Sequence, residues 1–167
     1  LEGMEQLCTA VASSGAALPF ADSSFDAVSH SDVLCCLLEK RAMLKECRRV
    51  VCNGAKMLFY VIAPARGLSG PELDKACQTG PPFVGVPDSY ENLLSQTGWN
   101  ILSKIELSHE YLKALRRHTD GMESSSETFK QILGLDEFDG QMLQRHLQIS
   151  AIEHGLLERE RFLVQAV

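Results

Sequence analysis

Two hydrophobic periods alternate along the chain. Met57-Leu58-Phe59-Tyr60-Val61-Ile62 has no polar face and stops before Pro64; it is too short for a helix and has the pattern of a parallel strand covered on both sides. Upstream, Met43, Leu44, Cys47, Val50 and Val51 recur at helical spacing, with Lys40, Arg41, Lys45, Glu46, Arg48 and Arg49 on the other face, which predicts an amphipathic helix. Asn53-Gly54 predicts its left-handed stop. Phe25-Asp26-Ala27-Val28-Ser29 predicts a shorter strand, so residues 25–62 make a strand, helix, strand unit with a right-handed parallel crossover.

Further along, Pro87-Asp88 followed by Glu91 predicts a capping-box start for a helix striped by Tyr90, Leu93 and Leu94 and ended by Gly98. Trp99, Ile101, Ile105 and Leu107 alternate with Asn100, Lys104 and Glu106, the pattern of a half-buried strand. Ser108 is expected to cap a short helix carrying Tyr111, Leu112 and Leu115. The polar stretch Thr119 to Ser126, with Asp120-Gly121 and three serines, predicts a mobile loop. One helix ending at Gly134, another from Asp136 to His154, and a charged, edge-like strand from Leu156 to Val164 complete the pattern. The fold class is α/β, with a helical insertion, residues 108–155, before the last strand.

Charge and composition then exclude several classes of function. Sixteen basic against 22 acidic residues leave a net charge of −6, and the basic residues are scattered, so the electrostatic footprint of a nucleic-acid binder is missing. The longest apolar stretch, Met57 to Ala65, contains Pro64 and is far short of the roughly 18 residues that span a bilayer. No nucleic acid and no membrane are expected as partners. Six cysteines without a C-x-x-C spacing predict reduced thiols in the cytoplasm. The start, Leu1-Glu2-Gly3-Met4, has neither an initiator Met nor a signal-like segment, which predicts a fragment.

Leu18-Pro19-Phe20, the acidic turn Ala21-Asp22-Ser23-Ser24, the strand Phe25-Asp26-Ala27-Val28 and the segment Ser29 to Leu37 follow one another in an order that resembles class I S-adenosylmethionine-dependent methyltransferases of the small-molecule, ubiquinone-biosynthesis-like type. Arg48-Arg49-Val50-Val51-Cys52-Asn53-Gly54 is similar to that family's turn into its next strand, and Gly80-Pro81-Pro82-Phe83, Gly98-Trp99 and Gly155-Leu156-Leu157 fall in the order of one of its branches. The resemblance implies a Rossmann-like methyltransferase sheet, here its C-terminal part, in a single N-terminally truncated domain spanning 1–167. It implies S-adenosylmethionine as cofactor, lined by Ser14, Gly15, Ala16, His30 and Ser31, and a small-molecule acceptor against Phe83, Tyr111 and His118. No catalytic base is identified and no metal is implied.

The sequence departs from the family pattern at defined places. No two glycines stand at G-x-G spacing, Ser14 occupies the position of an adenine-binding aspartate, and Cys35-Cys36 replace two histidines. If Glu2-Gly3-Met4 matches the helix after the family's second strand, the ribose-binding acid precedes Leu1. These departures predict weak cofactor binding by this chain alone, and they leave open a second reading, a catalytically inactive interaction protein of the same fold. Without its usual neighbour strand, Phe25 to Ser29 is expected to present an open edge through which the chain self-associates. Cys35 and Cys36 are expected as core thiols, because adjacent cysteines form only a strained disulfide. His109, His118, His146 and His154 are expected as solvated helix residues rather than metal ligands.

Overall fold

A computed structural model describes residues 8–86 and 88–167. Four strands form one sheet in the order β1-β2-β4-β3. Strand β1 (Phe25–Ser31) pairs parallel with β2 (Val51–Pro64) through helix α1 (Lys40–Val50), as the alternation of periods predicts. The predicted apolar stripe is the buried face of α1: Met43, Leu44, Cys47 and Val50 are all buried against the sheet. Trp99 locks this layer by donating its indole N–H to the Leu44 carbonyl at 3.1 Å.

Asn53-Gly54 does not stop the helix. Helix α1 ends at Val50 and β2 begins at the next residue. Gly54, at φ 79°, lies in a bulge where Phe25 pairs with Val51 but Ala27 pairs with Lys56. A left-handed residue serves a bulge as well as a helix end, and tertiary pairing decided between them.

Helix α2 (Pro71–Thr79) and helix α3 (Tyr90–Gln96) follow β2, and β3 (Trp99–Glu106) then pairs antiparallel with β4 (Leu157–Ala166). The N-cap of α3 is Ser89, whose hydroxyl accepts from the Asn92 backbone N–H at 3.1 Å. Asp88 instead accepts from the Ser89 N–H and the Asn92 amide; Pro87, the rest of the expected capping box, lies outside the described residues. Between β3 and β4 run α4 (Ser108–Ser124), α5 (Ser126–Leu133) and α6 (Leu135–Glu153). Leu107, not Ser108, is the N-cap of α4, and the Ser108 hydroxyl accepts from the Arg159 backbone N–H at 2.9 Å.

Two expectations fail here for physical reasons. Residues 119–124 are helical, because Thr119 and Met122 continue the Leu115 stripe and are buried. Met122 packs with Phe138 and Met142 in a small separate core, and this packing outweighs the roughly 1 kcal/mol helix penalty of Gly121. The second failure is β4, which is charged but interior, paired with β2 on one side and β3 on the other. Two of its four charges are paired across the sheet, Glu160 with Lys104 and Arg159 with Asp32.

The strand β3 carries a further reversal. A bulge at Leu102, between the pairs Ile101–Val164 and Ser103–Leu163, shifts the phase of everything after it. Lys104 thereby joins Phe162 on the buried face, with its ammonium 5.1 Å from the ring centroid, while Ile105 is 39% exposed.

Candidate functional site

One transverse row crosses the whole sheet. His30, Phe59, Phe162 and Lys104 are consecutive register partners on β1, β2, β4 and β3. The rings stack, His30 on Phe59 at 4.9 Å and Phe59 on Phe162 at 5.0 Å, and Tyr90 leans over the last two. Burial lowers the His30 pKa to about 4, against the opposing pull of the Asp32 carboxylate, so this imidazole is neutral at physiological pH. Both of its ring nitrogens are buried without a hydrogen-bond partner among the described residues.

One residue further along each strand, the side chains point to the other face, and the chemistry changes. At the carboxyl end of β1, Asp32 takes the left-handed conformation at φ 54°, a region that few residues other than glycine occupy. Its N–H donates to the Tyr60 carbonyl at 2.9 Å, which carries the backbone past the end of the sheet. Arg159 of β4 donates to both Asp32 oxygens, from Nη2 at 2.6 Å and Nε at 3.3 Å, and to the Ser31 hydroxyl at 3.0 Å. Its guanidinium lies between two rings, 5.1 Å from the Tyr60 centroid and 4.3 Å from that of Tyr111. Fork geometry and ring stacking are what arginine, not lysine, provides. Burial first, and then the Asp32 charge, push the Tyr111 phenol pKa up, so Tyr111 keeps its proton.

The turn from Ser14 to Ala17 is closed by the Ala17 N–H on the Ser14 carbonyl at 3.0 Å, and the Ser14 hydroxyl accepts from the Ala16 N–H. Gly15 packs so closely that a Cβ there would meet Met43 Sδ at 3.3 Å and Leu37 at 3.7 Å. The turn therefore rests on the segment that leaves β1. The Leu18-Pro19-Phe20 loop behind it is held by residues that the sequence pattern places on the solvent face of α1. Glu46 accepts from the Leu18 N–H at 2.8 Å, and Arg49 donates to the Phe20 and Leu18 carbonyls and to Asp22. Hydrogen bonds from Arg49 and Leu18 hold the Glu46 carboxyl down at about 2.

Phe83 reaches the same end of the sheet: its N–H donates to the Cys35 carbonyl in the 3₁₀ turn Leu34–Cys36. Its own carbonyl accepts from Lys40, a buried lysine and not the surface residue that periodicity suggests. Burial lowers the Lys40 pKa. Cys35 is buried and Cys36 exposed, so only the first is a core thiol; burial pushes its pKa up to about 12. His118 is exposed on α4, about 10 Å along the helix from Tyr111, and is not brought to the cluster. His109, His146 and His154 are exposed as well. Asp32, Arg159 and Tyr60 were missed by sequence reasoning; only Asp32, next to the Ser31 position, carried a local signal.

Residues 2–59 match a family model described as a methyltransferase domain. The structure is similar to that of a putative sarcosine dimethylglycine methyltransferase from Galdieria sulphuraria, with TM-score 0.81 over 92% of this chain and 57% of the other, at 14% identity. The chain has the fold of these methyltransferases. Similarity extends to the Haemonchus contortus phosphoethanolamine N-methyltransferase 2 solved with S-adenosyl-L-methionine, at TM-score 0.74, 15% identity and coverage of 92% and 36%. The mycolic acid cyclopropane synthase CmaA1 solved with SAH and CTAB gives TM-score 0.68 and 15% identity over 86% of this chain and 56% of that one. The chain thus spans less than two thirds of each of these methyltransferase-fold structures. No curated protein matches at the level of sequence.

Proposed function

We propose that this chain forms the acceptor-side part of an S-adenosylmethionine-dependent methyltransferase acting on a small molecule. The observation that carries this reading is the Ser31-Asp32-Arg159-Tyr111 cluster at the carboxyl end of β1, the place where open α/β sheets put their ligands. The residues present fit a sulfonium-bearing cofactor. His30 adds no positive charge beneath the strand end, Asp32 supplies a carboxylate there, and the Ser14 hydroxyl is exposed on a turn packed against the same segment. Ser14, Gly15, Ala16, His30 and Ser31 are the cofactor-side residues of this reading, His30 through its backbone. Phe83, Tyr111 and, at the periphery, His118 are its acceptor-side residues.

S-adenosylmethionine, when bound, supplies a methyl group on a sulfonium, already an excellent leaving group. The chain's own residues then have chiefly to orient the acceptor, and orientation is worth roughly 7 to 11 kcal/mol in favourable cases. Arg159 holds the Asp32 carboxylate in one rotamer, and Asp32 is placed to accept a hydrogen bond from the acceptor. The protonated Tyr111 phenol donates one.

The chain alone binds the cofactor weakly, because neither a G-x-G loop nor the expected ribose-binding carboxylate stands among its residues in the family's order. It self-associates through β1, which among the described residues pairs with β2 alone and is largely exposed. Its six unpaired thiols suit a reducing, cytoplasmic setting. Titration with S-adenosylhomocysteine, followed by amide NMR, tests the reading. Expected are shifts at Ser14 to Ala17 and at Ser31 to Leu37, with a dissociation constant weaker than roughly 10 μM. Shifts confined to other regions overturn the site, and tighter binding overturns the expected weakness. Sedimentation of a single monomeric species at tens of micromolar removes the proposed self-association.

A further inference from the structure

On the sheet face opposite Arg159 lies a second concavity, a cleft of about 450 Å³ walled by the end of β2, the start of β4, α2 and the N-terminal turn of α3. That volume falls within the roughly 300–1,000 Å³ of small-molecule sites. Its apolar wall includes Leu68, Leu73 and Val86. Its polar wall has four carboxylates, Asp88, Glu91, Glu158 and Glu160, against two cations, Arg66 and Lys104. Both cations are already committed: Arg66 pairs with Glu91, and Lys104 bridges Glu91 and the buried Glu160. Glu158 has no ion pair among the described residues and is half-buried. Tyr90, which also lines the cleft, is only 3% exposed, and its hydroxyl has no hydrogen-bond partner among the described residues. A buried hydroxyl left unpaired is costly unless something else satisfies it.

We infer that this cleft is a binding site for a small organic cation, an ammonium group on an apolar body, distinct from the Asp32 cluster and separated from it by the sheet. The ammonium lies against Glu158, which like Asp88 has no ion pair among the described residues but, unlike Asp88 with its bonds from Ser89 and Asn92, accepts no side-chain hydrogen bond there, and the apolar body lies on Leu68, Leu73 and Val86. An anion is disfavoured because both cations are neutralised by the carboxylates beside them. Arg159 and Glu160 are neighbours in sequence with side chains on opposite faces, so a ligand here and one at Asp32 press on the same strand from two sides.

The test uses 2-phenylethylamine, 2-phenylethanol and 3-phenylpropionate as probes in amide NMR titrations of the 167-residue chain. The amine is expected to shift Arg66, Gly67, Gly85, Val86 and Glu91 saturably below about 10 mM, the alcohol more weakly and the carboxylate least. Glu158→Gln is expected to weaken amine binding about tenfold or more, and Leu73→Trp, which fills the cleft from a partly exposed position, to abolish it. Thermal melts confirm that each variant is folded. Equal or tighter binding of the carboxylate, no saturable shift by about 10 mM, or unchanged binding in folded Leu73→Trp overturns the proposal. None of these outcomes bears on the cofactor titration, which is read at Ser14 to Ala17 and Ser31 to Leu37.

Discussion

Phe59 and Tyr60 are adjacent in β2, yet they belong to two different chemistries. Phe59 is fully buried in a stack that runs from His30 to Phe162, whereas Tyr60 lies on the other face beneath Arg159, beside the Asp32 ion pair. The first face is mostly apolar: the His30 imidazole stays neutral there, and the charges that reach it at the far strands, Lys104 and Glu160, are paired with each other. The second face concentrates hydrogen-bonding capacity at the strand ends, where water and ligand can reach it. Separating core from chemistry by the two-residue period of a strand lets the same four strands provide both rigidity and a site.

The sharpest way to break this contrast is truncation of one member of each face. Phe59→Ala removes the ring between His30 and Phe162 and is expected to destabilise the fold by about 3–5 kcal/mol, whereas Tyr60→Ala is expected to lose about 1–2 kcal/mol. Chemical denaturation of both variants checks this; equal losses would show that the second face is core as well.

The pH dependence tests the neutral state of His30. Its folded pKa, about 4, lies below the ordinary value of 6.5, so the unfolded chain binds the additional proton. The corresponding stability is therefore complete above about pH 6.5 and is lost as pH falls through 6.5 toward 4, with a slope approaching about 1.4 kcal/mol per pH unit. His30→Phe is expected to flatten that segment of the stability curve. An unchanged slope in the variant would mean that the imidazole is protonated in the folded protein.

Arg159→Met, which keeps the stem but removes the fork, is expected to lose about 1–2 kcal/mol of stability, less than a fully buried pair because Asp32 is about a third exposed. Under the proposed reading it is also expected to lower methyl transfer by more than tenfold. Arg159→Lys should restore stability more than turnover. Restoration of both together would make the pair a strut and nothing else.

Gly121→Ala carries the smallest effect. A Cβ there meets nothing within 4 Å and the residue is inside α4, so the substitution is expected to stabilise by about 0.5–1 kcal/mol. Destabilisation would return residues 119–124 to a loop.

Much of the first half was legible in the sequence. The stripe of α1, the parallel pair β1 and β2 and the Leu-Pro-Phe loop followed from periodicity and resemblance, because each rests on neighbours within a few turns. The candidate site was legible only in part. Ser14 to Ala16, Ser31, Phe83 and Tyr111 come to one end of the sheet, but Asp32 and Arg159 are 127 residues apart, and no local pattern couples them.

What the sequence determined alone is which segments alternate at period two and which at 3.6, since burial of one face imposes that spacing on each element separately. What only the tertiary structure decided is phase and partnership. The Leu102 bulge turned Lys104 inward and Ile105 outward, the pairing of β4 between β2 and β3 made a charged strand interior, and packing on Phe138 and Met142 held a polar, glycine-containing stretch helical. In each case the deciding free energy comes from contacts between elements, which shift a pattern by one residue or override a weak propensity without leaving a mark in the local sequence.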